Sequence, residues 1–469
     1  MDKKQFIRKY SKIIIEGNAA VFAGAGTSVP AGFVNWKELV KPFADEIRLD
    51  IEKETDLIGL TQYYINSKRG NRGTVNQEIV NQFSSQVAET EVINLLTRLP
   101  ISTYWTTNYD KVIENALEKN NRKCDIKRKK TDLTYSVPDR DAVVYKMHGD
   151  VDSPGDAVIS KDDYAKYSDI NSLFVTALRG DLVSKNFLFV GFSFEDPNLD
   201  TILGKLHILL GEHQREHFCI QKEVLKQDYS EEKDYEYACI KQELKIEDLK
   251  RYGIETILIE NFSKLPVLLR EVEREVLKNN IFISGSITYF NENWSEKNVN
   301  KFCYDFSRFL VSKNYKIISG FGLGIGSSII NGALDEIYNK KFNHVSKYLG
   351  LFPFPQHADG EMDIKELWTS YRRKIIEKVG VCLFIFGNKK DENNDIVDAD
   401  GMMEEFHIAQ STEKIIIPVG STGFTAKKIF DEMKKSGRYS YLDEYWNILE
   451  TEKDYNIVYS VIDKIIKEQ

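Results

Sequence analysis

Cysteine is scarce and scattered: Cys124, Cys219, Cys239, Cys303 and Cys382 are the five thiols of a 469-residue chain, and no two lie within four residues of each other. A disulfide framework and a zinc ribbon both need closely or regularly paired cysteines, so neither is supported and no metal site is expected. A basic excess is also missing, with 64 Lys and Arg against 72 Asp and Glu and a formal charge of −8. Duplex binding draws its affinity from Lys and Arg on one face, so nucleic acid is not an expected partner. No apolar run approaches the ~18 residues that cross a bilayer, and Met1-Asp2-Lys3-Lys4-Gln5 does not begin a signal peptide. The expectation is therefore a cytoplasmic protein without a membrane partner. With only 28 glycines and 10 prolines, 42% hydrophobic and 29% charged residues, the composition is that of an ordinary globular protein.

There is no internal repeat, and at roughly 150 residues per domain the length implies about two to four domains. Apolar strand-like runs recur at Asn18–Phe22, Ser102–Thr106, Ala142–Met147, Phe187–Val190, His217–Gln221 and Glu255–Ile259, mostly separated by segments of helical period. After a charged helical stretch from Leu265 to Asn280 the pattern restarts at Ile281, with further runs at Tyr315–Ser319, Val379–Phe386 and Lys414–Val419. Alternation of this kind predicts an α/β protein of two Rossmann-like domains, each a mainly parallel sheet flanked by helices. The boundary is placed near residue 275, giving domains 1–275 and 276–469. The segment Lys222–Lys250, rich in Glu, Lys and Asp, reads as solvated helical surface.

Four segments of the first domain place polar side chains after strand runs, where open α/β sheets bind ligands. They are Ala23-Gly24-Ala25-Gly26-Thr27-Ser28, Thr106-Thr107-Asn108-Tyr109-Asp110, Met147-His148-Gly149-Asp150 and Gly191-Phe192-Ser193-Phe194-Glu195-Asp196. Small residues in the first would let backbone approach a pyrophosphate, with the next helix N-terminus supplying N–H groups. Each segment also has a plain structural reading: a tight turn, a helix cap at Asp110 or Asp196, a buried histidine. Taken together, Gly-Ala-Gly-x-Ser, Thr-x-Asn-x-Asp and His-Gly in this order resemble a sirtuin domain. The resemblance implies that Gly24, Ala25, Gly26 and Thr27 cradle NAD pyrophosphate, with Ala23, Asp110 and Asp196 as further NAD contacts and Ser193 near the adenosine ribose. It also implies that Asn108 holds the nicotinamide ribose and a water and that His148 is the general base, a task suited to a pKa near neutrality.

The departures from the family set the expected reaction. Sirtuin deacylases carry a four-cysteine zinc module beside the acyl-lysine groove, which this chain lacks, and their Gly-Ile-Pro-Asp-Phe-Arg loop is replaced by Ala31-Gly32-Phe33-Val34-Asn35-Trp36. Water then remains as the acceptor, and NAD+ is a substrate hydrolysed to nicotinamide and ADP-ribose rather than a cofactor. The alternatives are a deacylase or ADP-ribosyltransferase, or a nucleotide-binding regulator without turnover. His213-Gln214-Arg215-Glu216-His217 matches the H-x-x-E-H zinc pattern, but that site needs one continuous helix and His217 opens a strand run.

In the second domain Ser284-Gly285-Ser286 ends the first strand run, and glycines alternate at Gly320, Gly322, Gly324 and Gly326 around Leu323. Such loops suit backbone contact with phosphate or close helix packing. Arg372 offers a planar fork for phosphate, Lys389 a point charge, and Glu405 an acceptor for ribose or base, while Phe354 could stack on a base. With Gly401 and Glu405 in Gly401-Met402-Met403-Glu404-Glu405, this arrangement resembles the SLOG family of nucleotide sensors. Its cytokinin-releasing relatives carry a Pro-Gly-Gly-x-Gly-Thr-x-x-Glu loop whose prolyl-diglycine part is absent here, which favours binding over turnover. A sirtuin-like domain followed by SLOG resembles the NADase effectors of Thoeris antiphage defence. That resemblance implies a cyclic ADP-ribose isomer, made by a TIR-domain partner, as the activator bound at Gly285, Ser286, Gly322, Leu323, Gly324, Phe354, Arg372, Lys389, Gly401 and Glu405. It also implies a homo-oligomer.

Overall fold

A computed structural model describes residues 1–84, 90–355, 363–391 and 393–469. The chain divides into two compact units, Met1–Glu273 and Arg274–Gln469. In the first, strands β1 (Ala19–Ala23), β2 (Thr103–Thr106), β3 (Cys124–Lys127), β4 (Ala142–Lys146), β5 (Asn186–Val190), β6 (His217–Lys222) and β7 (Ile254–Ile259) form one sheet in the order β3-β4-β2-β1-β5-β6-β7. Every pairing in it is parallel. Strands with helices on both faces read as continuous apolar runs. Accordingly β1 (Ala-Ala-Val-Phe-Ala) and β5 (Asn-Phe-Leu-Phe-Val) are buried at all positions, whereas edge strand β3 alternates.

The second unit has strands β8 (Asn280–Ser286), β9 (Lys316–Ser319), β10 (Leu349–Leu351), β11 (Val381–Phe386) and β14 (Ile415–Pro418) in the order β10-β9-β8-β11-β14, again parallel throughout. A short antiparallel pair, β12 (Asn388–Lys390) and β13 (Ile396–Asp398), follows β11. The apolar runs correspond to strands, but β3, β10, β12 and β13 carry no such run. β3 is Cys-Asp-Ile-Lys, whose Asp125 and Lys127 are buried as an ion pair at 2.9 Å, so its polarity hides a buried strand. The charged segment becomes helix Glu232–Arg251, where Leu249 is the buried residue, as a solvated face requires.

Both sheets contain a position where chain connections leave in opposite directions. It lies between β1 and β5 in the first unit and between β8 and β11 in the second. Crevices outside the carboxyl ends of the strands open there, and open α/β sheets bind ligands in them.

Candidate active site and nucleotide cavity

The first glycine loop does not lead straight into a helix. After β1 the chain makes two short 3-10 turns, Ala25–Thr27 and Val29–Ala31, and the α-helix begins only at Trp36 behind an Asn35 capping box. Pro30 in the second turn lacks an N–H, and Gly32 at φ 98° ends it in the left-handed region. The helix N-terminus therefore does not follow the glycines directly. The glycines are needed for a contact within the protein as well: a Cβ on Gly24 would stand 2.4 Å from the Gly191 carbonyl oxygen. Gly24 N–H donates to Val190 O at 2.9 Å and Gly26 N–H to Gly191 O at 3.0 Å, joining the loops that follow β1 and β5.

Asn108 lies in the loop after β2 and reaches across to the first loop. Its Nδ2 donates to Gly24 O at 3.1 Å and to Ser28 Oγ at 3.0 Å, and its own N–H donates to Thr106 Oγ1 at 3.0 Å. Thr27, buried, donates its hydroxyl to Gly24 O at 2.7 Å. Ala23 ends β1, where its carbonyl accepts the Thr106 hydroxyl at 2.8 Å. His148, after β4, has no exposed surface, and its Nε2 stands 3.2 Å from Asp196 Oδ2. Neither ring nitrogen makes a hydrogen bond among the described residues. The rings of Tyr164 and Tyr167 meet the imidazole edge-on, and Tyr164 donates to Asp196 Oδ2 at 3.2 Å. Asp196 also caps helix Pro197–Leu210 through Leu199 N–H, so the cap and the histidine partner are one residue. Burial pulls the His148 pKa below its ordinary value and the Asp196 carboxylate partly opposes that shift.

The structure thus brings the glycine loop, Asn108, His148 and Asp196 to one sheet edge. Two of the residues expected to contact NAD have other surroundings. Asp110 is 3% exposed, its Oδ1 accepts Val112 N–H at 2.9 Å and its carbonyl accepts Lys146 Nζ, so its resting role is a helix cap above a buried charge. Ser193 is exposed in the loop after β5. The zinc-like pattern is not a helix: His213 ends a 3-10 turn and His217 opens β6, its Nδ1 accepting Phe187 N–H at 3.1 Å.

In the second unit a cavity of about 390 Å³ lies at the β8–β11 crevice. Gly285, Ser286, Leu323, Arg372, Lys389, Gly401 and Glu405 line it. Gly322, Gly324 and Phe354 are set behind them. A Cβ on Gly322 would lie 2.0 Å from Gly285 O and one on Gly324 2.0 Å from Ile287 O, so these glycines pack loop against strand. Phe354 supports the cavity indirectly, its ring centroid 5.1 Å from the Arg372 guanidinium carbon. Arg372 bonds Glu404 at 2.6 Å and stands 3.4 Å from Glu405, and Lys389 pairs with Asp400. Ser284 donates to Glu405 at 2.6 Å, and burial outweighs both partners, pushing the Glu405 carboxyl up to about 7.

Residues 102–255 match the SIR2-like domain family and residues 264–469 match the Sir2- and TIR-associating SLOG family. Along nearly its whole length the chain is similar to proteins called NAD(+) hydrolase ThsA. Identity is 45% to that of Bacillus cereus (strain MSX-D12), over 92% of this chain and 89% of the relative. It is 43% to that of Cytobacillus dafuensis, over 92% and 88%, and 43% to that of Acinetobacter baumannii (strain 532279), over 92% and 90%. The chain belongs to the ThsA family.

Reading the ThsA-family sequence alone missed Ser28, Tyr164, Thr369 and Glu404. Ser28 closes the same motif as Gly24, and Thr369 lies one helical turn from Arg372, with its hydroxyl bonded to Glu404. Helical spacing could have found Thr369. Tyr164 sits sixteen residues past His148, and only the folded helix Lys161–Ile170 brings it there. Among the described residues of this ThsA-family chain no helix is long and apolar enough to cross a membrane.

The His148–Asp196 contact has a consequence for pH. Were His148 the general base that the sequence implies, it would work when neutral, and burial would place the acid limb of activity below the ordinary pKa of 6.5. Asp196→Asn removes the charge that opposes this, and the acid limb of kcat/KM is expected to move to still lower pH as overall activity falls. A pH–rate profile of both proteins checks it; a shift upward overturns the pairing. Stability follows the same sign. The unfolded histidine binds a proton at higher pH than the buried one, so His148 and His217, the latter held at about 4 by burial and Arg215, withdraw stability as pH falls below 6.5.

Proposed function

We propose that this chain hydrolyses the N-glycosidic bond of NAD+ in its sirtuin-like unit, and that the cavity of its SLOG unit takes a cyclic ADP-ribose isomer that controls the rate. The observation that carries the enzymatic reading is the convergence of Asn108, His148 and Asp196 beside the glycine loop at the β1–β5 crevice. In the reaction the bond from ribose C1′ to the pyridinium nitrogen breaks, nicotinamide leaves neutral, and a water oxygen bonds C1′. Positive charge builds on the ribose, and the water gives up a proton as it attacks. Neutral His148 takes that proton. The Asp196 carboxylate beside Nε2 favours the N–H on that nitrogen, leaves Nδ1 as the base, and stabilises the imidazolium. Asn108, fixed to Gly24 and Ser28 through Nδ2, has Oδ1 for the ribose or the water.

His148 is fully covered, so a water has to be admitted to the ring before Nδ1 can take a proton. Control by a ligand elsewhere fits such a site, because a ligand that binds the open arrangement more tightly shifts the population toward it. The SLOG cavity combines a cation fork, a lysine and a buried carboxyl, which suit a dinucleotide-like anion. On this reading the isomer comes from a TIR-domain partner, the chain acts in the cytoplasm as a homo-oligomer, and NAD+ loss serves antiphage defence.

The test is nicotinamide release from NAD+ by the purified chain with and without cyclic ADP-ribose isomers. Release that rises with one isomer is the expected result. Release indifferent to every isomer discards the sensor, and binding of NAD+ without any release discards the enzyme.

A further inference from the structure

The residue that ends β4, Lys146, is buried completely, and so is Asp150 four residues on. A fully buried ammonium is costly unless anions surround it. Here two carboxylates do, with a backbone carbonyl beside them. Nζ stands 3.1 Å from Asp150 Oδ2 and 3.2 Å from Glu114 Oε1, and it donates to the backbone carbonyl of Asp110. Burial alone would pull the ammonium toward its neutral form, but Glu114, Asp150 and Asp110 outweigh it and hold the pKa above its usual value. Asp150 is pushed up by burial and brought below its usual range by Lys146, Asp152 N–H and Arg128, the last with Nε 3.4 Å from Oδ2.

These partners belong to three segments: the loop after β2 that carries Asn108, the helix Val112–Lys119 that follows it, and the loop after β4 that carries His148. One side chain thus bonds the loops of both proposed working residues. Stability alone does not account for the cluster, because replacing a buried ion pair by uncharged side chains of similar volume is often neutral or stabilising. What a directional contact to two carboxylates and a backbone carbonyl supplies that methylene groups do not is a fixed spacing between the loops.

We propose that Lys146, with Asp150 as its counter-ion, is a positioning residue for NAD+ hydrolysis that sets the separation of Asn108 and His148. The proposal rests on the reading of those two residues as the working pair. It touches neither substrate nor the reacting atoms, so its loss acts on turnover through geometry. A displacement near 1 Å at a reacting group costs about 10²-fold in rate.

The experiment compares Lys146→Met/Asp150→Asn, Asp150→Asn and Asn108→Ala in the full-length chain, assayed for nicotinamide release well below each protein's unfolding midpoint. In the double variant the Lys146 and Asp150 charges are removed together, and Glu114, whose carboxyl burial already raises above its ordinary pKa, takes up a proton once the ammonium is gone, so no ion is left buried alone. The expected result is a double variant with a midpoint near the parent's, a kcat about 10²-fold lower and a KM for NAD+ little changed. A folded double variant with the parent's kcat, beside an inactive Asn108→Ala, overturns the proposal and leaves the site reading standing. Activity retained in Asn108→Ala overturns both. Should the double variant fail to fold, Asp150→Asn decides: it keeps the shape but removes the counter-ion, and an unchanged kcat in a folded protein overturns the proposal equally.

Discussion

Asn108→Ala and His148→Ala are each expected to lower nicotinamide release from NAD+ by about 10²- to 10⁴-fold, the range that a positioned acid–base group supplies. The two losses should differ in kind. His148 makes no side-chain hydrogen bond among the described residues, so its truncation strands no polar partner; Asp196 keeps the Tyr164 hydroxyl and the Leu199 N–H. The fold should therefore survive with the cost of a buried cavity, and the effect should fall on kcat. Asn108 holds Gly24 O and Ser28 Oγ, so its removal also loosens the loop proposed to cradle the pyrophosphate, and KM should rise as kcat falls. Circular dichroism establishes that the variants are folded, and steady-state kinetics separates the two patterns. Folded variants that release nicotinamide at the parent's rate would sink the assignment of both residues.

The parallel sheets were legible because β1, β5 and β11 are buried on both faces and so are continuously apolar. β3 was not legible, because its buried charges, Asp125 and Lys127, satisfy one another along the strand itself. The site divides in the same manner. Asn108 and His148 follow apolar runs and carry motif neighbours, which makes them visible in one dimension. The close backbone contacts of Gly24 and Gly322 were not legible, since the backbones that a Cβ would strike, Gly191 and Gly285, are remote in sequence. Asp196 was read as a cap or as an NAD contact, and the structure makes it a cap whose second oxygen stands beside His148. Lys146 gave no signal at all: a lysine at the end of a strand run looks like a solvated residue until the fold places three acceptors around it.

Arg372→Ala is expected to abolish the response to a cyclic ADP-ribose isomer, so that the ratio of nicotinamide release with and without it falls to about one at the concentration that activates the parent. Arg372 is 13% exposed and presents a fork toward a cavity that otherwise offers two lysines, Lys365 and Lys389, and three acids. Truncating one partner of a desolvated, hydrogen-bonded charge pair costs about 2–5 kcal/mol, which is ~30-fold or more in affinity. The resting cavity should tolerate the change. Glu404 is partly exposed and keeps its bond from Thr369. Glu405 already sits at about 7 through burial, and losing the cation raises it further, so it takes up a proton and leaves no uncompensated buried charge. Arg372→Lys keeps the charge but not the planar fork, and should respond only at higher isomer concentration. Both variants are read by titrating the isomer against NAD+ hydrolysis and by calorimetric binding of the same isomer. An Arg372→Ala protein that responds at the parent's concentration would show that the signal is read elsewhere in the chain.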